Sequence, residues 1–90
     1  MLLSEEEKEN SLIIYKTLLS GQNWIKDNSD ITELTEKLTV FFKKGNLHLE
    51  YLELANPENL QPVKNKNQPV HCFIAAFCGK VRLIDNMRLN

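Results

Sequence analysis

No run of apolar residues in this sequence approaches the roughly 18–20 needed for a helix to cross a bilayer. Nor do its charges leave an excess of either sign: 11 basic and 12 acidic side chains give a formal charge of -1. The first absence excludes a helical membrane span. The second argues against nucleic-acid binding, which draws on a basic excess gathered on one face, and against attachment to a membrane surface. The opening stretch MLLSEEEKEN is acidic where a secretory leader would carry basic residues and then an apolar core, so the cytoplasm is the expected location.

Cysteine is nearly missing. On one continuous strand Cys72 and Cys78 would stand roughly 20 Å apart, whereas a disulfide tolerates only about 4.4–6.8 Å between Cα atoms. Both are expected to be buried thiols, and no paired C-x-x-C spacing suggests zinc. Histidine is as rare, with His48 and His71 outside any H-x-x-x-H or H-E-x-x-H pattern, so no metal site is expected. His71 and Cys72 are adjacent, but strand neighbours point to opposite faces, and His71 with Cys78 fails by the same parity. No Cys–His nucleophile follows. Glycine is too sparse for a phosphate loop: Gly79-Lys80 joins two strands, where G-x-x-x-x-G-K-[ST] must join a strand to a helix. Nothing places two carboxylates in an apolar pocket where one pKa would rise.

What is present is an ordinary globular composition, 42% hydrophobic over 90 residues, enough for one small core. Ser4 with Glu7 has the spacing of a capping box and opens a first helix, which Ser20-Gly21 is expected to close. Leu12, Ile14, Tyr15, Leu18 and Leu19 fall on one face of it, with Ile13 outside. GQNWIKDNS reads as a connection with room for one helical turn. Asp30 and Glu33 cap a second helix whose apolar stripe is Ile31, Leu34, Leu38, Phe41 and Phe42, and Lys43-Lys44-Gly45 stops it.

Three strands follow. Residues 46–55 alternate, with Leu47, Leu49 and Tyr51 on one face and His48, Glu50 and Leu52 on the other. NPEN turns the chain, and KNKNQP is a polar loop. Residues 70–78 are apolar on both faces, which suits a central strand. Gly79-Lys80 makes a tight turn into VRLID, and Asp85-Asn86 is expected to end that strand through hydrogen bonds to its own backbone. The predicted architecture is α+β: two helices on one face of a three-stranded antiparallel sheet, strand 70–78 central. Lys80 and Arg82 share a face opposite Val81 and Leu83. That alternation is what a half-buried edge strand shows; read functionally, it offers cations to an anionic ligand or a partner surface.

The segment AAFCGKVRLIDNMRL resembles the C-terminal signature of the pantothenate synthetase family, in which an apolar strand leads into G-K-T-R-L-I-D-N. Val81 stands in place of the usual threonine. EYLELANPENLQPV resembles the family's Y-V-E-L-x-x-P-x-x-L-x-P strand and turn, and LLSEEEKENSLIIYKTL the segment after its K-M-S-K-S-like nucleotide loop. The likeness covers nearly the whole chain in order and is weakest over 21–45. Neither that loop nor the family's His-x-Gly-His-type motif occurs, so residues 1–90 are expected to be one domain, the C-terminal lid, without the N-terminal Rossmann-like catalytic domain.

By this resemblance the complete enzyme, a homodimer, uses ATP and Mg2+ to join pantoate to β-alanine through a pantoyl-adenylate. The partners implied are the catalytic domain and those three substrates. The lid alone implies a monomer with no catalytic residue, cofactor or metal of its own, and Lys80 and Arg82 become its candidates for the nucleotide side. The alternative is a free-standing α+β interaction module whose exposed sheet face binds a protein.

Overall fold

Two helices, α1 (Glu5–Trp24) and α2 (Ile31–Lys43), precede three strands, β1 (His48–Ala55), β2 (His71–Cys78) and β3 (Val81–Arg88). The structure, a computed structural model, describes residues 5–27, 30–63 and 67–90. The expected capping box at Ser4 and Glu7 lies outside what it describes. The strands form one antiparallel sheet in the order β1-β2-β3, and both helices pack on one face of it. The α+β arrangement with the double-sided apolar strand in the middle is the one predicted.

α2 forms as read. The Asp30 carboxylate accepts hydrogen bonds from the backbone N–H groups of Thr32 (2.9 Å) and Glu33 (3.2 Å), a cap whose loss costs about 1 kcal/mol. Ile31, Leu34, Leu38 and Phe42 are buried, while Phe41 turns aside to meet Trp24 edge-on, ring centroids 5.6 Å apart.

α1 departs from expectation in two ways. It continues through Gly21 to Trp24, because this glycine is a packing residue and not a stop. A Cβ at Gly21 would lie 3.1 Å from both Cδ atoms of Leu89. Its buried side is also rotated: Ile14, Thr17 and Leu18 are interior, whereas Leu12 and Tyr15 are about half exposed, at 51% and 52%. The Thr17 hydroxyl enters the core by donating to the carbonyl of Ile13, 2.7 Å away, so the buried polar group is satisfied. Ile13 in turn packs against Gly45.

β1 contains a register shift between Leu49 and Tyr51. The extra residue of a bulge reverses side-chain parity. Leu47 and Leu49 therefore face the helices before it, and Leu52 and Leu54 after it. Tyr51, predicted to share a face with Leu47, lies on the opposite one. β3 also runs further than predicted: Asp85 and Asn86 pair with Ile74 and Phe73, and the strand ends only at Arg88. The Asn86 N–H does reach the Asp85 carboxylate, at 2.8 Å, without ending the ladder. Gly79 supplies the positive φ (61°) that the β2–β3 hairpin requires.

Gly45 has no positive φ; its role is clearance. A Cβ there would stand 2.9 Å from Cγ1 and 3.1 Å from Cβ of Ile13, atoms that no rotation of Ile13 removes together. Gly45→Ala is expected to lower stability by about 1–3 kcal/mol through overpacking. Gly21→Ala meets only flexible leucine tips and regains about 1 kcal/mol of helix propensity, so it is expected to be near neutral. Urea denaturation of the two variants checks the contrast.

Candidate functional site

Antiparallel pairing puts cross-strand partners on one face, so the sheet's outer surface can be read row by row. The row nearest the hairpin is His48–Phe77–Arg82; the next is Tyr51–Ala75–Ile84; then follow Glu53–Phe73–Asn86 and Ala55–His71–Arg88. A column of Phe73, Ala75 and Phe77 crosses the apolar row Tyr51–Ala75–Ile84. Ala75 at the crossing is fully buried, while Ile84 is 57% exposed. His48, Arg82 and Arg88 stand at three of the corners and buried Ala55 at the fourth.

One corner is fixed by an ion pair. Arg82 Nε donates to Glu50 Oε2 at 2.7 Å and Nη2 to Glu50 Oε1 at 3.3 Å. Glu50 sits at the bulge of β1 and Arg82 on β3, so this two-point pair spans the central strand. Its hydrogen bond holds the Arg82 guanidinium above the usual arginine pKa, against a smaller opposing effect of desolvation. Both partners remain solvent-accessible. Lys80 is exposed at the hairpin apex beside them. The structure therefore brings the two predicted residues, Lys80 and Arg82, to one end of the domain, and adds Glu50, which alternation alone had paired with Leu52. Further along the face, His71 Nε2 lies 2.9 Å from Asn86 Oδ1 and the ring leans on Phe73, centroids 5.2 Å apart. With the amide oxygen as acceptor, Nε2 carries the proton.

Cys72 and Cys78 face the helices and are buried, neither in a disulfide. Burial pushes the Cys72 thiol up from its ordinary 9.0 to about 12, which suppresses the thiolate that a nucleophile needs. His71 is on the other face. Among the described residues no three His, Cys, Asp or Glu side chains group closely enough to hold a metal ion. Nor, among the described residues, is any helix long and apolar enough to cross a membrane. On the helical side an open groove of about 620 Å3 runs along α2, lined by Trp24, Val40 and Phe41 among Glu33, Glu36, Lys37 and Lys44.

The family of pantoate-beta-alanine ligases matches residues 1–88. The chain belongs to that family. Pantothenate synthetase of Leptospira interrogans is 39% identical over 90 residues, covering 98% of this chain and 32% of the relative. The pantoate–beta-alanine ligase of Oryza sativa is 34% identical over 98% of this chain and 28% of its own length. A crystal structure of the pantothenate synthetase from Thermus thermophilus superposes with a TM-score of 0.88 at 22% identity, over 97% of this chain and 32% of that one. The fold is thus shared as well, and the chain spans about a third of the length of these relatives.

The Cys72 thiol carries a pH consequence. Between about 9 and 12 it stays protonated in the folded state while the unfolded thiol ionises, so stability falls as pH rises through that window. Below pH 9 Cys72 is expected to react with a thiol probe only through unfolding. Native-state labelling faster than unfolding, measured against urea-unfolded protein, contradicts this.

Proposed function

We propose that this chain is the C-terminal lid domain of a pantoate–β-alanine ligase. In this reading a Rossmann-like domain before residue 1 holds the reaction, and the complete enzyme is a cytoplasmic homodimer. The reaction joins pantoate and β-alanine with ATP and Mg2+. The pantoate carboxylate attacks the α-phosphorus and releases pyrophosphate; the β-alanine amine then attacks the acyl carbon of pantoyl-adenylate and releases AMP. An acyl-adenylate awaiting an amine is vulnerable to water, and a cover that closes before the second step removes that competitor. The carrying observation is that a third-length match encloses its own core, from Ile14 and Leu18 of α1 to Leu89 beyond β3. A cover must be stiff by itself and needs no nucleophile. The domain alone is then an inactive monomer.

The placement of Lys80 and Arg82 supports their role on the nucleotide side. Asn46, just before β1, donates to the Asn10 side chain at 3.1 Å, and Ile13 packs on Gly45. At the other end of α1, Gln22 donates to the Arg88 carbonyl at 2.9 Å. α1 therefore begins at the hairpin end of the sheet, and its first residues run roughly 7 Å past Asn10. A domain preceding this one meets it at the end that carries Lys80, Arg82 and Glu50. Lys80 and the Arg82 Nη1 group, which lies outside the Glu50 pair, are the sheet-side candidates for a polyphosphate, at an end that Lys43 and Lys44 of α2 also reach.

In the complete ligase, Arg82→Ala is expected to lower turnover by roughly ten- to a hundredfold, the scale of one hydrogen bond to a charged group, without unfolding the domain. Steady-state kinetics checks it, and wild-type rates would remove Arg82 from the lid surface.

A further inference from the structure

We infer that the outer face of the sheet, and not the helical layer, is the side that closes on the nucleotide-binding part of the same ligase. This rests on the lid reading and extends it by choosing a face.

Three observations choose it. First, the outer face has the anatomy of an interface: an apolar centre of Tyr51, Phe73, Phe77 and Ile84 around a fully buried Ala75, with Glu50–Arg82 and His71–Asn86 at its rim. The helical side also shows apolar area, with Trp24, Val40 and Phe41 in the groove along α2 and Leu12 and Tyr15 exposed on α1. There, however, Glu33, Glu36, Lys37 and Lys44 interleave the groove, with Lys37 and Glu33 in an i,i+4 ion pair at 3.8 Å.

Second, the size fits. Three strands of eight residues present a face of roughly 14 Å by 26 Å. Counted over both partners this is roughly 700 Å2, within the range of about 600–1,500 Å2 for domain contacts that open and close. Third, some two-thirds of the length of the relatives lies outside this chain, and Arg82, one of the two candidate cations, belongs to the outer row with Phe77. One face thus carries both the charge and the apolar area a closing contact needs. Tyr51 and Ile84 are the parts of this chain that would exclude water at the seam.

The test uses thiol labelling of the complete ligase. Ile84→Cys places a probe on the outer face and Val40→Cys one on the helical side; both parent residues are exposed, at 57% and 60%, so the fold should survive either change. The native Cys72 and Cys78 are buried and contribute little background. Labelling by a maleimide is followed with and without ATP and pantoate, and the signal of the parent enzyme is subtracted. The expected result is that Cys at 84 slows about tenfold when substrates are present, as for a closed state about nine-tenths populated, while Cys at 40 does not change. Protection at 40 instead, or equally at both positions, overturns the choice of face. If neither slows while Arg82→Ala still impairs turnover, the face is wrong and the lid reading stands. If neither slows and Arg82→Ala is silent, both fall.

Discussion

The fold depends on β2, whose eight residues HCFIAAFC leave no side free for water. An edge position would expose its backbone and one apolar flank, so the strand needs a neighbour on each side and a layer on at least one face. β1 and β3 supply the neighbours. α1 and α2 supply the layer, and Cys72, Ile74, Ala76 and Cys78 pack beneath it. The other flank, Phe73, Ala75 and Phe77, is bordered by side chains of its own sheet: Tyr51 and Ile84 stand on either side of Ala75, and Arg82 with Glu50 straps the row of Phe77. The half-finished cover of that flank is a direct result of asking two helices to shield a strand with two apolar faces.

The bulge at Glu50 decides what the uncovered face can do. Without it, strict alternation would keep Leu47, Leu49 and Tyr51 together and send Leu52 and Leu54 outward, exposing two leucines and burying a phenol. One inserted residue keeps all four leucines inside, turns Tyr51 out, and sets the Glu50 carboxylate within reach of Arg82. Register and electrostatics are therefore the same decision here, since moving the bulge would relocate the ion pair along with the aromatic ring.

Much of this was legible in the residues, for reasons that can be named. Asp30 with Glu33 and Gly79-Lys80 are local devices whose chemistry is complete within a few residues, and both formed where read. The two flanks of β2 identified it as central. Gly21 misled because a glycine admitted for close approach of Leu89, some 68 positions later, is indistinguishable in sequence from one that ends a helix. Tyr15 and Leu12 misled because periodicity marks an apolar side but not how much of it the neighbours reach. The bulge did leave a trace: leucines at 47 and 49 and then at 52 and 54 break period two, and only a slipped register reconciles them with one buried face. The Arg82–Glu50 pair left none, since it joins residues 32 positions apart through that slip.

For the cover proposed above, the absence of an activated nucleophile among the described residues would be an asset. A low-pKa thiol, an unpaired carboxylate or a mobile imidazole beside an activated acyl group would be a rival nucleophile, and this domain keeps its thiols under the helices and anchors His71 on Asn86. The same restraint applies to affinity. A wholly apolar outer face would lock onto whatever it met and make release of product slow, whereas a wholly charged one would admit water at the seam. An apolar cross of five side chains with a largely polar rim lies between these limits. In the lid proposed above, such a face would be dry enough at the centre to exclude water and weak enough at the rim to open again.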